Sequence, residues 1–371
     1  MDRQFSAGAK WSVAVFAALV VFAWGGVQGF AQTPPRVEVD PLWPKPLPNH
    51  WILGSVTGVA VDSRDHIWVV HRGQASLNGT TESAMKATPP GSEYCCAAAP
   101  FVLEFDLMGA LVSQWGGPGA GYDWPQNPGG IAVDAGGNVW ITAAGAPPAA
   151  AGRAGRAGGR GAAPAAAPPP EDAHVLKFSR AGKFLLQIGK PGELGSADSP
   201  TGLNKPAAVE VDSAANEVYV ADTGNKRIVV FDATTGAHKR HFAAAASCLT
   251  LAKSGELYVC DREANKVRVF KKDGTPVREA VVSATTRGSG SVWDIAFSAD
   301  AAQQFVYVAN GVEQTVHVLR RDTLAQVSTI GSGGRWPGTF YGVGAVAVTT
   351  QGHLITGENL QGKRVQKFVV R

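Results

Sequence analysis

Ala208-Val209-Glu210-Val211-Asp212, then Val218-Tyr219-Val220, then Ile228-Val229-Val230-Phe231, is the stretch on which the fold turns. Each piece is short, rich in β-branched and aromatic residues, and separated from the next by a polar turn. That is the pattern of antiparallel strands joined by hairpins. The unit recurs six times along the chain. The other first strands are Gly58-Val59-Ala60-Val61-Asp62, Gly130-Ile131-Ala132-Val133-Asp134, Cys248-Leu249-Thr250-Leu251, Asp294-Ile295-Ala296-Phe297 and Gly344-Ala345-Val346-Ala347-Val348. Each is followed by a second strand such as Val139-Trp140-Ile141-Thr142, and by a third ending in an aromatic residue or Leu. A weaker fourth strand, such as Phe184-Leu185-Leu186-Gln187-Ile188, follows in the first five copies. Four strands per repeat of some 40 residues predicts an all-β, six-bladed propeller with four-stranded antiparallel blades.

The sixth copy stops at Arg371, straight after its third strand. Arg36-Val37-Glu38-Val39 is a spare strand near the other end of the chain. An open last blade would expose a sheet edge. The N-terminal strand is therefore expected to pair with residues 364–368 and close the ring.

Composition agrees. Glycine contributes 45 of 371 residues, well above the roughly 7% of an average protein. Charged residues are 17% and hydrophobic ones 45%, which excludes a disordered polyelectrolyte. A net charge of +4 without a Lys/Arg-rich block gives no footprint for nucleic acid. Residues 1–31 read as a signal peptide: Asp2, Arg3 and Lys10 lead into an apolar run from Trp11 to Trp24, and Gly29-Phe30-Ala31 offers small residues for cleavage. An uncleaved anchor is the alternative. Export to the periplasm or the outside is expected, with no membrane span left after cleavage and a monomeric mature chain of residues 32–371. Two insertions interrupt the blades, at about 74–100 (with Cys95 and Cys96) and at 145–170. The second contains only Gly, Ala, Pro and Arg and is expected to be disordered.

The segment Tyr219-Val220-Ala221-Asp222-Thr223-Gly224-Asn225-Lys226-Arg227-Ile228-Val229-Val230-Phe231 resembles the NHL repeat. Val56-Thr57-Gly58-Val59-Ala60-Val61-Asp62, Val70-His71-Arg72-Gly73 and Cys260-Asp261-Arg262-Glu263 are similar to blades of the peptidyl-hydroxyglycine amidating lyases and their bacterial relatives. The resemblance implies an NHL propeller. In those lyases an arginine, a tyrosine and a zinc ion on three histidines cleave a hydroxyglycine peptide to an amide and glyoxylate. The arginine matches Arg72. The histidine positions fall on Gly129, Ser247 and Gly344, and the tyrosine on Thr223 or Gly224. An aspartate that holds a structural calcium in the family falls on Ala345. Catalytic zinc is therefore not expected.

Blade geometry supplies a site without the family. First strands start, and second strands end, at one mouth of the central channel. That rim gathers His71, Arg72, Asp222, Asp261, Arg262, Trp293, Asp294, Asn310 and Glu358. Both insertions join second to third strands and should stand over it. Arg72 is the candidate catalytic group. His71, Asp261, Arg262, Trp293, Asn310 and Glu358 are candidate ligand contacts, and Asp294 is both a candidate contact and the candidate calcium ligand. Turn capping competes for the Asp222 and Asp261 position, and ion pairing competes for Arg72. The leading function is a binding module for a peptide, glycan or protein at the mouth. The alternative is a lyase of the amidating type or a divergent hydrolase. The histidines offer no same-face pair on a strand: His238 and His241 stand an odd step apart, which alternation sends to opposite faces. A hairpin centred on Ser254 faces Cys248 with Cys260, close enough for a disulfide, the alternative being two buried thiols.

Overall fold

The computed structural model describes residues 33–77, 96–145 and 170–371. The segment read as a signal peptide and almost all of the Gly/Ala/Pro/Arg insertion lie outside the described residues, as does the central part of the first insertion. Six four-stranded antiparallel sheets form the blades. Blade one is Val56–Val61, Ile67–His71, Val102–Phe105 and Leu111–Trp115. Blade two is Pro128–Val133, Val139–Ala143, His174–Phe178 and Phe184–Gly189. Blade three is Pro206–Asp212, Glu217–Asp222, Arg227–Asp232 and His238–Ala243. Blade four is Leu249–Leu251, Leu257–Asp261, Lys266–Phe270 and Pro276–Val281. Blade five is Asp294–Phe297, Phe305–Asn310, Thr315–Arg320 and Gln326–Ile330. Blade six is Val343–Val348, Leu354–Glu358 and Val365–Val370, completed by Val37–Val39. The first strands neighbour one another round the ring, with blade six packed against blade one.

Closure follows the expected route with a small shift in register. Val37, Glu38 and Val39 pair with Val370, Val369 and Phe368. Asp40 N–H to the Lys367 carbonyl (2.8 Å) and Arg371 N–H to the Arg36 carbonyl (2.9 Å) extend the ladder at both ends.

The core is distributed. Apolar clusters fill the seams between adjacent blades, as where Trp140, Val175 and Ile188 of blade two meet Val218, Val220 and Phe231 of blade three. A middle strand is covered on both faces, so Ile67–His71, Val139–Ala143 and Leu257–Asp261 are buried at every residue. Fourth strands at the outer edge alternate, as in Leu111–Trp115. Cys248 and Cys260 form a disulfide across the blade-four hairpin, with Cα atoms 5.0 Å apart.

One irregularity recurs in blades one to five. The ladder between third and fourth strands slips by one residue at the aromatic residue or Leu that ends the third: Phe105, Phe178, Phe231, Phe270 and Leu319. In blade three Phe231 pairs with His238 and Val230 with Arg240, leaving Lys239 as the extra residue. This β-bulge resets the alternation. His238 and His241 thus share a face, and the expectation that they lie on opposite faces is corrected.

Candidate functional site at the channel mouth

The inner strands enclose a channel of about 330 Å³. Thr57, Gly130, Ala207, Ser247, Trp293 and Gly344 are among the residues lining it. The second strands end at the same mouth, and most polar side chains there are occupied by the fold. His71 is fully buried. Its Nδ1 accepts from Gly54 N–H and Gly73 N–H, both at 3.0 Å, and its Nε2–H donates to the Pro100 carbonyl at 2.8 Å. Burial pushes its pKa down to about 4, so the ring is neutral and has no edge free for a ligand.

Asp222 is also fully buried; it accepts from Asn204 N–H (2.6 Å), Asn225 Nδ2 (2.8 Å) and Arg227 Nε (2.7 Å). Arg227 then donates to the Ala197, Ser199 and Gly202 carbonyls and pins the loop entering blade three. Glu358 does the same for blade six: it accepts from Tyr341 N–H (2.9 Å), Gln366 Nε2 (2.9 Å) and Arg364 Nε, and Arg364 reaches the Arg335 and Thr339 carbonyls. Asp261 caps Ala264 N–H at 3.2 Å and pairs with Arg268 at 3.5 Å. Asn310 accepts from Val312 N–H and Glu313 N–H. These five rim residues act alike. In each, a buried polar side chain at the end of the second strand holds the neighbouring turn or loop.

Two arginines differ. Arg72 makes one long bond, from Nη1 to Asn359 Oδ1 at 3.4 Å, and its buried Nε has no partner among the described residues. Desolvation lowers its pKa. Arg262 donates to the Ser289 carbonyl at 3.1 Å and lies 4.0 Å over the Trp293 ring, a cation–π contact. Desolvation brings it down to about 10. Neither has a carboxylate partner among the described residues. Blades one and four stand opposite each other in a six-blade ring, so the second-strand ends that carry Arg72 and Arg262 lie across the ring from each other; Arg262 lines a cleft with Thr223, Ser247 and Ser289. Trp293, under Arg262, is fixed by its Nε1–H bond to the Gly290 carbonyl at 2.8 Å.

Deeper in the channel, Asp294 Oδ2 accepts from Val346 N–H at 2.8 Å, a bond from blade five to blade six. Burial raises its pKa to about 7. Glu210 is a second acid on the channel wall that sequence reasoning did not single out. Burial, with repulsion from Asp294 and Asp212, raises it to about 8. Its signal was visible: Ala60, Ala132, Thr250 and Ala296 hold the equivalent place in four other first strands.

Residues 203–231 match the family model of the NHL repeat. This unit is an NHL repeat. No curated protein matches the chain. Among solved structures, a protein of unknown function from Bacteroides thetaiotaomicron is similar at 16% identity and TM-score 0.54, covering 86% of this chain and 70% of that one. A virginiamycin B lyase from Staphylococcus aureus is similar at 12% identity and TM-score 0.48, covering 91% and 89%. At 16% identity the first likeness shows the fold alone, and at a TM-score under 0.5 the second carries nothing further.

Within this propeller the zinc of the amidating lyases has no ligands at the matching places. A Cβ on Gly129 would run into Thr142 Oγ1, which accepts from Gly130 N–H and donates to the Ala207 carbonyl. A Cβ on Gly344 would press on Asn359 and the Trp293 ring. Ser247 Oγ donates to the Cys260 carbonyl. The residues present do not fit the zinc ion.

Elsewhere, Asp62, His66 and Glu104 bring ligand atoms together, but the Arg180 guanidinium already bonds both acids, at 2.7 Å to Asp62, and lies over Trp68. The cluster is an ion-pair knot joining blades one and two.

Proposed function

We propose that this NHL propeller is an exported binding module whose mouth receives a carboxylate-bearing ligand, foremost the C-terminus of a peptide or protein. One observation carries the reading: Arg72 and Arg262, at the second-strand ends of opposite blades, are desolvated and without a carboxylate partner among the described residues. An arginine fork matches a carboxylate in two parallel bonds and gains strength where water is excluded. Trp293 offers an apolar surface beside it for the penultimate side chain. An acidic glycan would engage the same arginines. Export rests on the N-terminal segment. Calcium, if bound, would use the channel oxygens of Asp294 and Glu210 and complete its six to eight ligands with water.

The test is calorimetric titration with peptides that differ only in a free or amidated C-terminus. The free acid should bind at least about tenfold more tightly, and Arg72→Ala or Arg262→Ala should remove that preference, in line with the 1.4 kcal/mol per tenfold scale. Equal affinity for both peptides would reject the reading. Glyoxylate release from a hydroxyglycine peptide would establish the lyase alternative instead.

A further inference from the structure

The bulge in blade three creates a second arrangement, away from the mouth. His238 Nε2 and His241 Nδ1 face each other at 3.2 Å on the outer strand His238–Ala243. The ring centroids are 5.4 Å apart. Neither ring makes another hydrogen bond within the described residues, and both rings reach solvent. We propose that His238 and His241 form a surface site for a borderline divalent metal ion such as copper(II), nickel(II) or zinc(II).

The spacing decides the class. Metal–imidazole bonds of about 2.0–2.1 Å place two nitrogens about 3.3 Å apart on a tetrahedral ion. On a tetragonal ion the same bonds give about 2.9 Å for adjacent ligands. The observed separation falls between these. Calcium and magnesium prefer oxygen and would not select two imidazoles. In the metal-free state one ring donates an N–H to the other. The ion replaces that bond by taking both lone pairs after a small ring rotation, and the donor ring, still neutral, carries its proton on its other nitrogen, the transfer passing through solvent.

The flanking cations do not oppose this strongly. The extra residue, Lys239, reaches Glu217 at 3.2 Å, Arg240 forks onto both Glu217 oxygens at 2.6 and 2.7 Å, and Arg227 is paired with Asp222. Two acids thus offset most of three positive charges, Lys239 and Arg240 sharing Glu217. The His238 pKa is lowered, first by burial and then by His241 and Arg227, which favours the neutral form that ligates. His238 is held in place by Phe231, whose ring it meets edge-on at 6.1 Å. Two protein ligands leave the remaining positions to water, so the site is open to exchange.

The test uses the untagged protein and copper(II) alone, followed by calorimetry and by electron paramagnetic resonance. One tight site with two nitrogen couplings is expected. His238→Ala and His241→Ala should each weaken it at least about tenfold, the scale seen for losses around metal ligands. His50→Ala should not change it. Circular dichroism and the melting temperature separate loss of ligation from loss of fold. A double variant that stays folded and keeps the wild-type affinity would overturn the proposal, as would a wild-type spectrum without nitrogen coupling.

Discussion

Arg227 and Arg72 sit at the same end of the ring and teach opposite lessons. Arg227 is almost fully buried, and Asp222 and three carbonyls take four of its five guanidinium N–H donors. Arg72 is desolvated yet holds only Asn359. The acids show the same division. Arg240 grips Glu217 and lowers its pKa to about 2, whereas Glu210 sits in the channel among other acids and rises to about 8. A charge with a partner inside the chain is part of the scaffold. A desolvated charge without one costs stability and marks the place where an external partner would return it.

The largest expected effect breaks the first pair. Asp222→Ala strands a buried guanidinium and should cost about 3–5 kcal/mol in urea unfolding. Arg72→Ala should leave stability the same or raise it, because no buried acid is orphaned. Equal losses in the two variants would erase the distinction.

Removing the closing strand acts on blade six in a similar way. Deleting residues 33–39 exposes the edge of Val365–Val370 and should take several of the ~5–15 kcal/mol available to a domain. An unchanged melting temperature would show that the ring does not depend on this strand.

The acids predict opposite pH slopes. Glu210 and Asp294 have folded pKa values of about 8 and about 7, above their unfolded values, so the native state holds more protons between these limits. Their burden is absent below pH 4 and grows as pH rises through 7 to 8. Raising pH from 5 to 8.5 should therefore destabilise the protein, and Glu210→Gln should recover at least about 1 kcal/mol at the upper end. Glu217, with its lowered value, contributes stability above pH 4.5 that is lost as pH falls towards 2. A Glu210→Gln variant with the wild-type pH profile would show that Glu210 is not held protonated.

A further effect concerns the hairpin disulfide. It spans 12 residues between strands that already pair. Reduction should lower stability by about 3 kcal/mol at most, the chain-entropy value for a loop of this size. Parallel unfolding curves with and without reductant measure it.

Much of this molecule was legible in its residues. Strand alternation, the repeat count, the unfinished sixth copy and the spare strand at 36–39 are local patterns whose meaning survives without coordinates, because side-chain period and edge pairing are backbone properties. The facing of Cys248 and Cys260 followed from the same hairpin symmetry. What lay beyond the sequence was how polar side chains would be used. His71, Asp222, Asp261, Asn310 and Glu358 look like rim ligands in one dimension, and their partners come from turns and loops, some of them far along the chain. Only their placement in the ring decided that the fold consumes them and leaves Arg72 and Arg262 over. The bulge at Phe231 was equally hidden: one extra residue costs little locally, so no composition signals it, yet it turns His241 onto the face of His238. Repeated local geometry can be read residue by residue, whereas the satisfaction of a charge depends on which distant atoms the fold carries to it.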